Sequence, residues 1–288
     1  MAMAKTAKIN LGDNETKNEK GDKYAPIKTV YYHDELNDEF SNAVIESKAI
    51  DENYDYLPKS FWWKLGRFFF YRVIATPLGK LYLKLAHHQK TVGRKNLKKV
   101  ARDEGYFLYG NHTQQTADAF IPSIATFPRG VFVIVHPANV SQKVMGKFTK
   151  MLGAIPLPSN IKAMRNFKNA IEKRILQGNC VTVYPEAHIW PYYTGIRPFP
   201  ATSFKYPAEF DAPAFAMTNV YKKRKVGKKP KIITYIDGPF YPDNSLPLNK
   251  RAQDLRDKIY SAMVERSKES DYEYIRYEKA TDGENENA

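Results

Sequence analysis

The sequence predicts an α/β fold built as one principal domain. Three observations carry that prediction. From Leu97 onward, short apolar runs alternate with segments of helical period, the pattern of strands joined by helices. The early runs are almost unbroken by polar residues, as expected of strands covered on both faces. The chain has 288 residues, 43% of them hydrophobic, which is enough to bury a full core.

Taken in order, residues 1–29 are polar and are expected to form a flexible N-terminal segment. Residues 30–90 are expected to be a largely helical N-terminal region. Within it, 34–53 is strongly acidic, and either shields part of the positive surface or forms a helix with a solvated face. Residues 61–88, "FWWKLGRFFFYRVIATPLGKLYLKLAHH", carry Lys64, Arg67, Arg72, Lys80 and Lys84 and no acid. Such a stretch can lie along a bilayer interface, with aromatic rings among the headgroups and basic side chains on anionic lipid. It can also pack as a helical hairpin kinked at Pro77.

The α/β domain is expected over 91–278, followed by a disordered tail at 279–288. Strands are read at 106–111, 130–136, 153–157, 180–184, 213–221 and 231–238. Helices are read at 140–151, at 161–177 with Gly178 as its stop, and at 251–268. The run 221–231, "YKKRKVGKKPK", reads as the tip of a hairpin with Gly227 in its turn.

Charge and cysteine usage narrow the function classes. The net charge of +14 implies an acidic partner. No recognisable nucleic-acid-binding module surrounds the basic run, so none is expected as a partner. Cys180 is the single cysteine, which excludes an intramolecular disulfide framework and a thiolate-rich metal site, and between apolar neighbours it reads as a buried structural thiol. No HExxH occurs, and no metal is expected. The first fifteen residues do not read as a signal peptide, and no window approaches the ~18 uncharged apolar residues of a spanning helix. The expected location is the cytoplasmic side of a membrane, held peripherally.

The segment "YGNHTQQTADAF", 109–120, carries the chemistry. Asn111 and His112 follow an apolar strand, and ligands of open α/β sheets bind beyond the carboxyl ends of strands. Thr116 can cap the next helix, which puts Asp118 in its first turn. Six residues of regular helix would separate the two side chains at ~3.6 residues per turn. A bend at Thr113–Gln115 would bring Asp118 back onto one imidazole nitrogen and leave the other free as a base.

The order of motifs resembles the glycerolipid acyltransferase family. "VGRKNL" at 92–97 stands for its opening segment, and "NHTQQTAD" for its His–Asp block with one extra residue between the pair. "GAIPLPSN" at 153–160 matches the next block without its arginine. "VYPEAHIW" keeps Pro185 and Glu186 but has Ala187, His188 and Ile189 where Gly, Thr and Arg are expected. Phe204–Lys205 and "APAFAM" with Pro213 follow.

The resemblance covers roughly 60–240 and implies a mixed β-sheet flanked by helices, preceded by the aromatic-basic membrane-associating segment. It implies acyl transfer from an acyl thioester, acyl-CoA or acyl carrier protein, to a hydroxyl of lysophosphatidate or a related glycerolipid, with no other cofactor. His112 would be the general base and Asp118 its orienting carboxylate. Asn111, Glu186, Arg197 and Lys205 would line the substrate site, the two cations replacing the missing motif arginines. Oxyanion donors are expected among the amides of 112–118 or 186–188. No serine elbow is present, so direct transfer without an acyl-enzyme is implied. Two other readings remain at this stage: a different lipid, polyprenyl or glycan alcohol as acceptor, and a non-catalytic lipid- or carrier-binding protein.

Overall fold

The structure, a computed structural model, describes residues 22–40, 47–141 and 145–280. The expected flexible start therefore falls mostly on 1–21, and most of the expected tail on 281–288, outside the described residues. So do residues 41–46 of the acidic segment; its described parts are turn and extended chain, not helix.

The chain opens with β1 (Thr29–Tyr32). Helix α1 (Phe61–Phe68) leads through a π-helical stretch (Phe69–Ala75) into α2 (Thr76–Ala86). The joints keep right-handed helical angles, so 61–86 is one continuous rod rather than the hairpin allowed by Pro77. Pro77 lies in the first turn of α2, where its missing N–H costs least. The backbone N–H and the hydroxyl of Thr76 both donate to the Tyr71 carbonyl, the wider spacing of a π turn. Phe61, Trp62 (77% exposed), Leu65, Phe68 and Phe69 on one side of the stretch, and Leu78, Leu81 and Leu85 on the other, all face solvent.

Strands β2 (Lys90–Val92) and β3 (Tyr106–Gly110) come next, then α3 (Ala117–Ala125) and β4 (Val131–Val135). Short helices α4 (Ala138–Ser141) and α5 (Met145–Met151) occupy the place of the single helix expected at 140–151. They are followed by β5 (Ala154–Pro156), α6 (Ile161–Leu176), β6 (Cys180–Val183) and α7 (Lys205–Phe210). The long hairpin β7 (Ala214–Lys222) and β8 (Lys231–Phe240), α8 (Leu248–Ser267) and β9 (Arg276–Lys279) complete the chain. Asn160 caps α6 by accepting from the Ala163 amide, and Gly178 ends it in the left-handed region that glycine adopts without penalty.

Seven strands form one sheet in the order β2-β8-β7-β3-β6-β4-β5, parallel throughout except at the β7–β8 hairpin. The α/β prediction therefore holds, with a mixed sheet between helical layers. Alternation along β3 divides the core. Tyr106 and Leu108 pack with Leu83 of α2 and Ile121 of α3. Phe107 and Tyr109 pack with Phe167 of α6 and Leu255 and Ile259 of α8 on the other face. Cys180 is fully buried, and burial pushes its thiol up to about 12.

Two boundaries need correction. β1 pairs in parallel with β9, from Thr29 with Arg276 to Tyr32 with Lys279. This small sheet crosses both the boundary expected at 29 and the one expected at 279. Four-residue strands of mixed polarity lack the apolar run by which the larger strands were read.

Candidate active site

β3 ends at Gly110, and the chain leaves the sheet through Asn111 into a bend that precedes α3. A Cβ on Gly110 would lie 2.7 Å from the Met217 side chain and 2.9 Å from the Tyr184 ring, so the close approach at this exit requires glycine. The bend at Thr113–Gln115 brings Asp118 back toward the strand. Its Oδ2 accepts from His112 Nδ1 at 2.9 Å, from the Thr113 amide at 3.0 Å and from the Gln114 amide at 2.9 Å. Asp118 is 1% exposed, whereas the His112 side chain keeps 19% of its surface. The extra residue between the pair is thus absorbed in the bend. Thr116, expected as a cap, makes no capping bond; the Asp118 carboxylate takes the amides at this turn instead.

A buried polar chain holds the carboxylate from behind. Asn219 Nδ2 donates to Asp118 Oδ1 at 3.2 Å, and Thr234 Oγ1 donates to Asn219 Oδ1 at 2.7 Å. Asn111 pairs with the backbone of Asn219 in both directions. Asn111 thus ties β3 to β7 and is spent on the scaffold. The Tyr184 ring stacks on His112 with centroids 4.5 Å apart, while its hydroxyl donates to the Asp118 carbonyl at 2.6 Å. Among the described residues no group bonds to His112 Nε2. Asn219 and Thr234 were missed in the sequence; a lone asparagine within the apolar run of β7 was the available signal.

Glu186 closes the other side. Its Oε2 accepts the His112 amide at 3.2 Å and its Oε1 the Arg197 amide at 3.2 Å. Arg197 Nη2 lies 3.3 Å from Glu186 Oε2 and also donates to the His188 carbonyl, while Nη1 donates to the Glu35 carbonyl at 3.2 Å. The guanidinium is stacked over Trp190 at 4.9 Å and is 1% exposed. Arg197 therefore braces the 186–197 loop, and no acceptor phosphate reaches it in this arrangement. Burial outweighs its cationic neighbour and its amide donors and raises the Glu186 carboxyl above its ordinary value. Ala187 stands where the resemblance expects glycine and adopts a left-handed φ of 63°, the conformation that explains that expectation.

Lys205 is exposed at the start of α7, which packs on α8, and is not brought to His112. His136 accepts from the Ala138 amide and His188 pairs with Glu39, so neither joins the dyad. Of the expected oxyanion donors, the amides of 112, 113 and 114 are taken by carboxylates and those of 187 and 188 by carbonyls. The amides of Gln115 and Thr116 have no partner among the described residues. A cavity of about 420 Å³ borders the same bend at Gln114, Gln115 and Thr116, with Lys28, Lys229 and His87 in its lining. Burial and the nearby Lys229 hold His87 below its ordinary value.

Chemically, the arrangement is a half-exposed imidazole with one nitrogen fixed by a buried carboxylate and the other open. It can accept a proton from an alcohol. Residues 91–219 match the family model described as Acyltransferase. No curated protein sequence matches the chain. The fold is similar to the crystal structure of the 1-acyl-sn-glycerophosphate (LPA) acyltransferase PlsC from Thermotoga maritima. The TM-score is 0.51 at 18% identity, covering 74% of this chain and 85% of that one.

Proposed function

We propose that this chain is a glycerolipid acyltransferase that moves a fatty acyl group from an acyl thioester, acyl-CoA or acyl carrier protein, to a hydroxyl of lysophosphatidate or a related glycerolipid; the match of 91–219 to the Acyltransferase family model and the PlsC-like fold support this reading. His112 Nε2 takes the proton as the acceptor oxygen attacks the thioester carbonyl. The carbonyl oxygen becomes an oxyanion facing the free amides of Gln115 and Thr116 at the start of α3. The C–S bond then breaks, and the thiolate leaves with the proton from the imidazolium. Asp118 stays ionised, fixing tautomer and orientation. The contact that carries this reading is His112 Nδ1 to Asp118 Oδ2 at 2.9 Å, with the carboxylate buried and Nε2 open.

The protein works at the cytoplasmic face of a membrane, held by the exposed apolar side chains of 61–86 and the basic residues among them. No described helix is long and apolar enough to cross a membrane. With Arg197 internal and Lys205 remote, the charge of a phosphate-bearing acceptor falls to Lys28 and Lys229 in the cavity beside the bend. The internal position of Arg197 also favours a second reading, an acceptor alcohol without a phosphate monoester.

The test is turnover of a long-chain acyl thioester against a panel of lysolipids and other lipid alcohols, with vesicles present. His112→Ala should remove transfer while leaving the fold intact, and full turnover by the folded variant would exclude the base. Asp118→Asn should lower kcat by about 10²- to 10⁴-fold. Its amide would face either the two donating amides of 113 and 114 or the donating Asn219. Turnover with phosphate-free acceptors alone would select the second reading.

A further inference from the structure

Away from the dyad, three cations gather at the β5 edge of the sheet. Arg67 of α1 and Arg174 of α6 both lie over the Phe132 ring of β4, their guanidinium carbons 4.5 and 4.2 Å from its centroid. Lys150 of α5 lies 4.7 Å from the Tyr54 ring centroid and 5.6 Å from that of Trp63. All three line one cavity of about 20 Å³. Among the described residues none of the three makes an ion pair. Arg67 Nε and Nη2 are buried without a partner, and the hydrogen bond of Arg174 goes to Gln177. Asp55, exposed at the surface, is the acid whose charge is felt by Lys150 and Arg174.

Such a trio is electrostatically incomplete. Cations withdrawn from water are normally paired, and ring faces return only part of the cost. Burial pushes all three groups below their ordinary values, and Arg67 adds to the effect on Arg174. Removing the deficit requires an anion. The two unpartnered nitrogens of Arg67 form one edge of its guanidinium, and both can donate to a single phosphate oxygen placed between them. The cavity has room for about one oxygen, so the remainder of the group would stay at its mouth.

We propose that Arg67, Lys150 and Arg174 form a phosphate site, and that the headgroup of an anionic phospholipid fills it. The source follows from position. Trp63 lines the cavity, and Phe61 and Trp62 immediately before it are among the most exposed apolar side chains of the rod. Aromatic rings at headgroup depth would bring the phosphate layer to the cluster. The choice of a lipid source rests on the membrane contact proposed above; the phosphate chemistry does not.

The experiment compares the full chain with Arg67→Met and Arg174→Met, which keep packing volume and remove charge. Lys173→Met, an exposed neighbour outside the cluster, loses the same charge and is the control. Inorganic phosphate should raise the Tm of the wild type and of Lys173→Met more than chloride does at equal ionic strength. Both cluster variants should lose that increment. Equal phosphate responses in all four proteins would overturn the site, as would a marked fall in Tm of the cluster variants without phosphate, which would make the cations structural clamps. In a second arm, vesicles of phosphatidylcholine with phosphatidylglycerol should bind the cluster variants about fivefold more weakly than Lys173→Met. Binding equal to the control, with the phosphate response lost, would overturn the lipid source and leave a soluble phosphate ester. If the wild type binds no vesicle, the membrane contact fails while the first arm still decides the site.

Discussion

Arg197, buried, and Arg67, half-buried, are both lodged against aromatic rings, yet they stand in opposite electrostatic conditions. Arg197 is enclosed by Glu186, by the carbonyls of Glu35 and His188 and by Trp190, with only Nε unpartnered. Arg67 has Phe132, Tyr71 and a second arginine, and no acid pairs with it among the described residues. The difference separates cations that the fold consumes from cations that the fold leaves unfinished. A cation of the first kind cannot bind a substrate without breaking the loop it holds; one of the second kind is improved by an incoming anion.

The largest effect that tests this contrast is on stability. Arg197→Ala leaves the Glu186 carboxylate buried without its counterion and should cost about 3–5 kcal/mol in urea unfolding. Arg197→Lys should recover little, because a single ammonium cannot reach Glu186 and the Glu35 carbonyl together. A cost at Arg197 no greater than that of Arg67→Met would erase the distinction.

The next test uses pH. The Glu186 carboxyl is raised by burial, so the folded chain keeps that proton to higher pH than the unfolded chain. Linkage then gives a contribution that is full below the ordinary carboxylate value and falls as pH rises through the folded one. Glu186→Gln cannot titrate. Across that window the wild type should lose stability relative to Glu186→Gln. Parallel curves would show that the ion pair with Arg197 balances burial, and a wild type that gains stability on Glu186→Gln as pH rises would show that the ion pair outweighs it.

Most of the sheet was legible because its strands are long apolar runs. β3, β4, β6, β7 and β8 all fall within two residues of those runs at each end. β1, β2 and β9 were not, since "TVYY", "KTV" and "RYEK" lie at an edge or in a two-stranded pair and carry no continuous apolar signal. The approach of Asp118 to His112 could be inferred because helix geometry forbids it and only a bend permits it. Arg197 could not be placed, because local sequence does not reveal that Glu35 and Trp190 close around it. The π-helical stretch was hidden for a related reason. No local motif marks it, and the rod on either side packs closely, with Gly79 against Phe120.

The smallest test concerns salt. Arg67 and Arg174 repel across a half-exposed cluster, so screening should relieve them, while the buried Glu186–Arg197 pair should be nearly indifferent. Raising chloride from low to physiological ionic strength should stabilise the wild type by about 0.3–0.5 kcal/mol more than Arg174→Met. A protein of net charge +14 gains some stability from salt everywhere, so the comparison has to be made against Lys173→Met, which lowers that charge equally. If Lys173→Met and Arg174→Met respond alike, repulsion is spread over the whole surface and the cluster is not set apart from it. If Arg174→Met alone loses the gain, the strain is local to the Phe132 ring, which is where an anion would relieve it.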